Sequence, residues 1–349
     1  MDPNRVKQFG AKLLNLFTGA VLTRMIEVGY LTGLFEASKK GPATSEELAE
    51  RAELKERYVR EWLGAMATGG IYRYDASTGR YELPEEHALM LTGDGAKNAA
   101  PMSRMVNHVG EHVPKLVACF RKGGGIPYSA YRPVFTQCMD DAWRRVYDQF
   151  LIPDFIGAVP GLTEHLRDGI DVLDIGCGTG HAMNLLAREF PRSKFAGYDF
   201  GEDAIDGARD EARKMGLSNV RFEIVDVADL PAHPKFDLIT AFDAIHDQKA
   251  PDDVLRGIRR ALKGGGQFLM IDFKAASSVE GNMDNRFAPL YYGISLMHCM
   301  PVSLALGGKG LGTMWGEQLA RKMLAEAGFA KVRVLDTPRP QNYMFVCEA

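Results

Sequence analysis

The sequence predicts an open α/β sheet domain behind a small, mostly helical one, and three observations carry that prediction. From residue 170 onward, apolar runs of strand length alternate with helical patterns. Ahead of them, residues 44–83 read as two short helices and a hairpin. The chain has 349 residues, enough for two domains at roughly 150 residues each.

Composition narrows the class. Hydrophobic residues make up 46% and charged residues 25%, as in soluble globular proteins. A net charge of −3 argues against nucleic acid or an anionic membrane as the main partner. Cys119, Cys138, Cys177, Cys299 and Cys347 are widely spaced and form no C-x-x-C. That fits a reduced compartment, with neither a disulfide framework nor a zinc site. No uncharged run reaches the ~18 apolar residues of a membrane span. The early run LLNLFTGAVL is interrupted or flanked by Lys12, Asn15 and Arg24 and shows no clear cleavage site. A cytoplasmic location is expected.

The elements follow in order. Val6, Phe9, Leu13, Phe17, Val21, Met25 and Val28 recur at helical spacing within residues 5–37. This apolar set is broad for a surface helix, so packing against another chain or domain is expected. Thr44-Ser45 followed by Glu46-Glu47 marks a helix start. Helices over 45–52 and 56–68 follow, Gly69-Gly70 stops the second, and IYRY and RYEL flank DASTG as a hairpin. Two helices and a hairpin make a winged helix, a module that in many proteins reads DNA through its second helix. Between Lys39 and Glu61, however, six Lys or Arg face six Asp or Glu. A phosphate-binding face should be net basic. Residues 1–95 are therefore expected to dimerise or to cover a substrate, and a nucleic-acid partner is not expected. Residues 96–165 read as a helical linker region, in which Tyr128, Tyr131, Phe135 and Trp143 either line a pocket or fill core.

Residues 166–349 form the α/β part. IDVLDI, KFAGYD, VRFEIV, FDLITAF and GQFLMID read as strands, with helices over 181–190, 203–216 and 251–262. This pattern predicts a parallel sheet with helices on both faces. After an insertion over 273–315 come a helix over 316–327, Gly328 as its stop, and the strands KVRVLD and NYMFVCE, which bring the count to seven.

The chemistry concentrates at strand ends. DVLDIGCGTG (171–180) runs from a strand through Gly176, Gly178 and Gly180 into a helix. A dinucleotide fold wants G-x-G-x-x-G, but this loop is G-x-G-x-G and position 181 is His. Asp174 precedes the loop, Asp199 ends the next strand, and Asp226 follows the third. A carboxylate at the second position can accept from both ribose hydroxyls, and one at the third from an adenine amino group. Each acid alone reads as a solvated strand end. Together with the loop they suit a cationic ligand carrying ribose and adenine, because acids there would repel a pyrophosphate. FDLITAF then ends in Asp243, with His246-Asp247 three residues on. This stretch is either a solvated turn or a base facing a bound cofactor.

The series D-x-G-x-G-x-G, an acid ending strand two and D-x-x-x-L after strand three resembles the class I S-adenosylmethionine-dependent methyltransferases. The winged helix ahead of it, IHDQKAPDDVLRGIRRALKGGG and GGKGLGTMWGEQLARKMLAEAGF together resemble small-molecule O-methyltransferases of the caffeate type. In that family the N-terminal domain builds a dimer and helps to close the substrate pocket. FDAIHDQ and HCMPVSLA mark a bacterial-type subgroup. The resemblance implies a Rossmann-like seven-stranded methyltransferase domain and S-adenosylmethionine as cofactor, with S-adenosylhomocysteine as product and no metal. It implies that Asp174, Gly176, Gly178 and Gly180 hold the methionine portion and that Asp199 takes the ribose. Phe200 would lie beside the adenine, Asp226 and Val227 at its edge, and Phe242 and Asp243 near the sulfonium. His246 matches the general base, and imidazole suits that work because its reference pKa of ~6.5 lies near working pH. Asp247 or a neighbouring chain segment would orient the ring. Gln248 stands where the caffeate type has Trp.

YYGISLMHCMPVSLALGGKGLG (291–312) is the substrate-side candidate. Met297, Met300 and Trp315 are expected to form an apolar wall with His298 as a polar contact, alongside Tyr131 and Phe135. His298-Cys299 has no further ligands near in sequence, so no metal is expected. Four glycines over 307–312 make either a lid or an ordinary loop. The expected activity is methyl transfer to a small aromatic or apolar acceptor, with O-methylation favoured and a homodimer as the working form. The competing classes are an S-adenosylmethionine-sensing DNA-binding regulator, a non-catalytic cofactor-binding protein, and a nucleotide-dependent oxidoreductase that the glycine spacing opposes.

Overall fold

The computed structural model of the protein describes residues 1–349 apart from 231, 232 and 234. The chain divides into two compact units, Met1–His108 and Val109–Ala349, so the stretch 96–165 is shared between them.

In the first unit a helix spans Pro3–Leu31, with Pro3 in its first turn and Asp2 capping it. The expected single helical run breaks at Gly33, whose φ of 72° turns the chain into a second helix, Leu34–Ser38. Only Gly29 of the first helix is buried, whereas Phe9 and Phe17 stand 59% and 65% exposed. Thr44 and Glu47 form a reciprocal capping box at the start of Ser45–Arg51. Glu56–Thr68 follows, then the antiparallel strands β1 (Arg73–Asp75) and β2 (Arg80–Glu82). Asp75 accepts from the Ser77 backbone and from the Ser77 and Thr78 hydroxyls, which closes the turn between them. Leu34, Phe35, Leu48, Val59, Trp62, Leu63, Met66 and Tyr72 form the core of this winged helix. On its second helix Arg57 pairs with Glu61 and Arg60 with Glu56, so cations that could meet a phosphate backbone are partnered within the helix.

The second unit is built on β3 (Asp171–Ile175), β4 (Lys194–Asp199), β5 (Val220–Ile224), β6 (Phe236–Phe242), β7 (Leu262–Phe273), β8 (Lys331–Asp336) and β9 (Asn342–Glu348). Their order is β5-β4-β3-β6-β7-β9-β8. The chain steps outward from β3 to β5, then returns to β6 beside β3, so a topological switch point lies between β3 and β6.

The sheet is mixed, not wholly parallel as the pattern suggested. β5, β4, β3, β6 and β7 run parallel, while β9 is antiparallel to both β7 and β8. The connection over 337–341 is too short for a crossover, so β8 and β9 must pair as a hairpin. Asn342 at the start of β9 consequently lies opposite Phe273 at the end of β7, on the edge where the parallel strands finish. Leu173, Ile175, Ile239, Ala241, Phe268, Met270 and Phe345 are buried within the sheet under Leu255, Ile258 and Leu324 of the covering helices. Among the described residues, no helix is long and apolar enough to cross a membrane.

Candidate active site

The glycine loop follows β3 directly, and its three glycines have different tasks. Gly176, Gly178 and Gly180 all have positive φ, at 67°, 53° and 72°. A Cβ on Gly180 would lie 2.5 Å from Phe222 and 2.6 Å from Ala208, so this glycine lets the loop close onto β5 and the helix Glu202–Lys214. A Cβ on Gly178 would meet nothing within 4 Å, so its backbone faces open space, as a cradle requires. The Gly176 and Cys177 amides both donate to the Tyr198 carbonyl, at 2.8 and 3.1 Å, and lock the loop against β4. The helix His181–Glu189 starts immediately afterwards.

The expected acids line this edge, but not equivalently. Asp174 is buried and accepts from the Thr240 hydroxyl at 2.6 Å. Burial pushes its pKa up to about 7 against that hydrogen bond. Asp199 is half-buried and accepts from the Gly178 amide at 3.0 Å and the Gly201 amide at 2.7 Å. Burial raises its pKa while those amides pull it down. Phe200 beside it is 53% exposed. Asp226 differs: it lies two residues past β5, is exposed, and accepts from the Ala228 amide at 3.0 Å. Val227 next to it is buried.

β6 delivers the second group. Phe242 meets Trp143, Tyr147 and Phe155 at ring distances of 6.3, 5.3 and 6.4 Å, which makes an aromatic wall. Asp243 has a φ of 51°, and among the described residues only Glu53 shares this state without being glycine. Such strain persists where the surroundings hold it, often at functional sites. Its amide donates to the Ile271 carbonyl, and its carboxylate accepts from Asn342 at 3.3 Å. Burial raises the Asp243 pKa to about 7, with the Asp272 charge adding to it. Burial also raises Asp247, to about 6.

His246 is 2% exposed, and its Nδ1 donates to both oxygens of Asp272, at 3.0 and 3.1 Å. Asp272 is fully buried near the end of β7. Burial opposes the imidazolium, but the Asp272 charge and hydrogen bond outweigh it and hold the pKa well above the usual histidine range. The Cys299 thiol also interacts with the ring and adds to that rise. Of the two orienting partners expected, Asp247 does not hold the ring, since its carboxylate accepts from Gln248 at 3.4 Å, and a neighbouring chain segment does, through Asp272. Asp272 is the residue that sequence reasoning missed. Its signal was present, since GQFLMID is an apolar run ending in an acid like those of β3, β4 and β6.

The substrate-side candidates separate. His298 stacks on Phe135 at 3.5 Å between ring centres and meets Tyr131 edge-on at 4.7 Å. The Tyr131 hydroxyl donates to the Met297 carbonyl at 2.6 Å. Tyr128 links this cluster to Phe200, with ring centres 5.3 Å apart. Tyr131, Phe135, Met297 and His298 are thus brought together. Met300 instead lines an apolar groove of about 450 Å³ with Leu116, Phe120 and Leu304. Trp315, 4% exposed, is packed in the sheet core with Ile245 and Leu324 and is not a pocket wall. The glycine segment 307–312 behaves as an ordinary loop. Gly308 donates to Ser303, Lys309 to Lys249 and Gly312 to the His246 carbonyl, at 2.9, 3.2 and 3.1 Å.

Asp174, Asp199, Asp243, Asp247 and Asp272 gather on one edge of the sheet, and burial holds three of them partly protonated near neutral pH. A ligand carrying positive charge gains from such a set, because it favours the ionised carboxylates.

Comparison with known proteins bears on the family and the fold. Residues 166–328 match the model of a methyltransferase domain, and residues 20–93 match that of an Rv2258c-like winged helix-turn-helix domain. Indolepyruvate C-methyltransferase of Streptomyces griseus is 24% identical over 343 residues, covering 96% of this chain and 94% of that protein. Among solved structures, a candidate O-methyltransferase of Nostoc punctiforme aligns with a TM-score of 0.76 at 18% identity, over 97% of this chain and 99% of that one. Human N-acetylserotonin methyltransferase in complex with S-adenosylmethionine aligns at 0.70 and 17% identity, over 97% of each chain. Both structures share the fold across the two units.

Proposed function

This chain belongs to the S-adenosylmethionine-dependent methyltransferases that carry an N-terminal winged-helix domain, and from that premise we propose that it methylates an oxygen of a small aromatic or apolar acceptor, with His246 as the proton acceptor. The observation that carries this reading is the buried His246–Asp272 pair beside the switch point of the sheet.

When bound, S-adenosylmethionine supplies a methyl group made electrophilic by a sulfonium sulfur. Asp174, Gly176, Gly178 and Gly180 would hold its methionine portion. Asp199 would accept from the ribose hydroxyls in place of the amides it holds now. Phe200 would cover the adenine, Asp226 and Val227 would meet its edge, and Phe242 and Asp243 would close the site near the sulfonium. The donor set fits the cofactor, since Asp174 and Asp243 are carboxylates that a nearby cation would ionise.

Methyl transfer is an in-line displacement, so the protein mainly supplies position and exclusion of water. The aromatic wall of Trp143, Tyr147 and Phe242 supplies the second. Beside a bound cation His246 releases its own proton more readily, because like charges disfavour each other. The neutral ring, held by Asp272, then takes the proton of an acceptor hydroxyl that replaces the Cys299 thiol.

Methylation at carbon is a second reading, favoured by the full-length similarity to Indolepyruvate C-methyltransferase. The same pair would then take a proton from an acidic C–H. Incubating the protein with S-adenosylmethionine and an aryl hydroxy acid or aryl keto acid, and locating the new methyl by NMR, separates the two. Methyl on oxygen supports the first reading and methyl on carbon the second. Tight cofactor binding without transfer would favour a sensor.

The working form proposed is a homodimer through the exposed apolar face of Pro3–Leu31.

A further inference from the structure

The hairpin connection between β8 and β9 places one cation over the acid-rich edge. Lys274 donates from its backbone to the Gln341 carbonyl at 2.7 Å, which ties the connection to the end of β7. Thr337 fixes it from within: its hydroxyl accepts from the Arg339 amide at 3.2 Å and donates to the Arg339 carbonyl at 2.8 Å. The Arg339 guanidinium lies over the Trp143 ring, 4.5 Å from its centre. With the Gln341 amide turned so that its oxygen faces the guanidinium, that oxygen accepts from Arg339 Nε and Nη2, each at 3.0 Å.

Nη1 is left over. It is buried from solvent and has no hydrogen-bond partner among the described residues. Leaving a charged donor buried and unpaired is costly. Nor does Arg339 pair with the acid nearest in charge. Asp243 feels its field, as do Tyr147 and Tyr291, yet the Asp243 carboxylate accepts from Asn342 instead. The guanidinium is therefore held by an indole face and an amide, with its remaining nitrogen left without a partner among the described residues.

We infer that Arg339 binds a carboxylate through this nitrogen, and that the acceptor is a small carboxylic acid with an aromatic or apolar body. A planar guanidinium with two of its nitrogens engaged and the third unpartnered is suited to a carboxylate oxygen. Phe242, Phe273 and Tyr291 supply the apolar surroundings for the body, with Phe273 and Tyr291 at 4.5 Å between ring centres and Phe273 at 5.6 Å from His246. The inference rests on the methyltransferase reading for its acceptor. The cofactor's methionine portion also carries a carboxylate, so the test must separate the two sources.

The experiment measures binding before turnover. Aryl carboxylic acids and their primary amides are titrated by calorimetry into the protein loaded with S-adenosylhomocysteine, for wild type, Arg339→Met and Arg339→Lys. S-adenosylmethionine is titrated into the same three proteins, and their thermal unfolding is compared so that a misfolded variant is recognised. The expected result is acid over amide by about 100-fold in wild type, lost in Arg339→Met and partly kept in Arg339→Lys, with cofactor affinity unchanged. If Arg339→Met weakens S-adenosylmethionine about as much and leaves the acid-to-amide ratio unchanged, the carboxylate that Arg339 binds is the cofactor's and the inference about the acceptor is overturned. If neither quantity moves in a folded Arg339→Met protein, Arg339 is only a wall residue and the inference is overturned. Because these arms need no methyl transfer, acid binding without turnover would count against the proposed reaction and leave the carboxylate site standing.

Discussion

Nδ1 of His246 lies 3.0 Å from Oδ1 of Asp272, and the two side chains are buried, one in the turn after β6 and one on the neighbouring strand β7, although 26 residues separate them in the chain. Asp272 also accepts from the Phe273 amide at 2.8 Å, so its own position is fixed by backbone. The pair therefore sets both the orientation of the imidazole and its affinity for a proton.

Replacing Asp272 by Asn should separate these two effects. If His246 is the proton acceptor, the wild-type transfer rate should rise with pH as His246 loses its proton, above the ordinary histidine range. Asp272→Asn removes the charge that retains the proton, so the rise moves to lower pH. The plateau falls about 100-fold or more, because the ring loses its orientation. A pH–rate profile checks both. A lower plateau without a shift along the pH axis would reduce Asp272 to a packing role.

Cofactor affinity should depend on pH in a stated direction. Asp174 and Asp243 are each raised from 3.8 to about 7. The folded protein without ligand thus binds protons that the unfolded chain has already released. The destabilisation they add is absent below 3.8 and complete above about 7. A bound cation favours the ionised forms, so S-adenosylmethionine binds more tightly as pH rises through about 7 and releases protons to the buffer. Calorimetry in buffers of different ionisation enthalpy measures this. S-adenosylhomocysteine, which lacks the sulfonium charge, should show a shallower dependence, and equal slopes for the two would contradict the account.

Two loop glycines should fail in different ways. Gly180→Ala places a methyl against Phe222 and Ala208 at a φ of 72°, and should cost about 2–4 kcal/mol of stability. Gly178→Ala meets no atom within 4 Å and should cost only about 1 kcal/mol through its left-handed backbone. Its methyl stands in the cradle, however, so cofactor affinity should fall about tenfold or more while the melting temperature barely moves. Thermal unfolding and cofactor titration on both variants distinguish the cases.

The N-terminal helix gives a prediction about assembly. Phe9 and Phe17 are exposed apolar side chains on a face that water disfavours. Wild type should run as a dimer in light scattering. Phe9→Glu with Phe17→Glu should give a monomer that still binds S-adenosylmethionine. A wild type that stays monomeric at high concentration would remove the dimer from the account.

Much of this site is legible in the sequence because its residues lie next to strand ends that apolar runs mark. Asp174, Gly176, Asp199, Asp243 and His246 are all of this kind. Asp272 has the same local signature, but its partnership needs the knowledge that β6 and β7 are neighbours, which no local pattern states. Arg339 sits in a short hairpin connection and becomes relevant only once β9 is seen to run antiparallel and begin at the ligand edge. Trp315 misleads in the opposite way. An aromatic in a variable insertion looks like pocket lining, yet the helix Gly316–Glu326 packs it into the core. Asp226 lies past a strand that stops at Ile224, and two extra residues are enough to carry a carboxylate out to solvent.

The central claim is that His246, held by Asp272, takes a proton during methyl transfer. Its most direct test is the rate at which a labelled methyl group passes from S-adenosylmethionine to an aryl hydroxy acid, compared for wild type, Asp199→Ala and His246→Ala. The account predicts transfer by wild type, loss of transfer in Asp199→Ala through failed cofactor binding, and a rate about 100-fold lower or less in His246→Ala at saturating cofactor. A His246→Ala protein that transfers methyl as fast as wild type would contradict it.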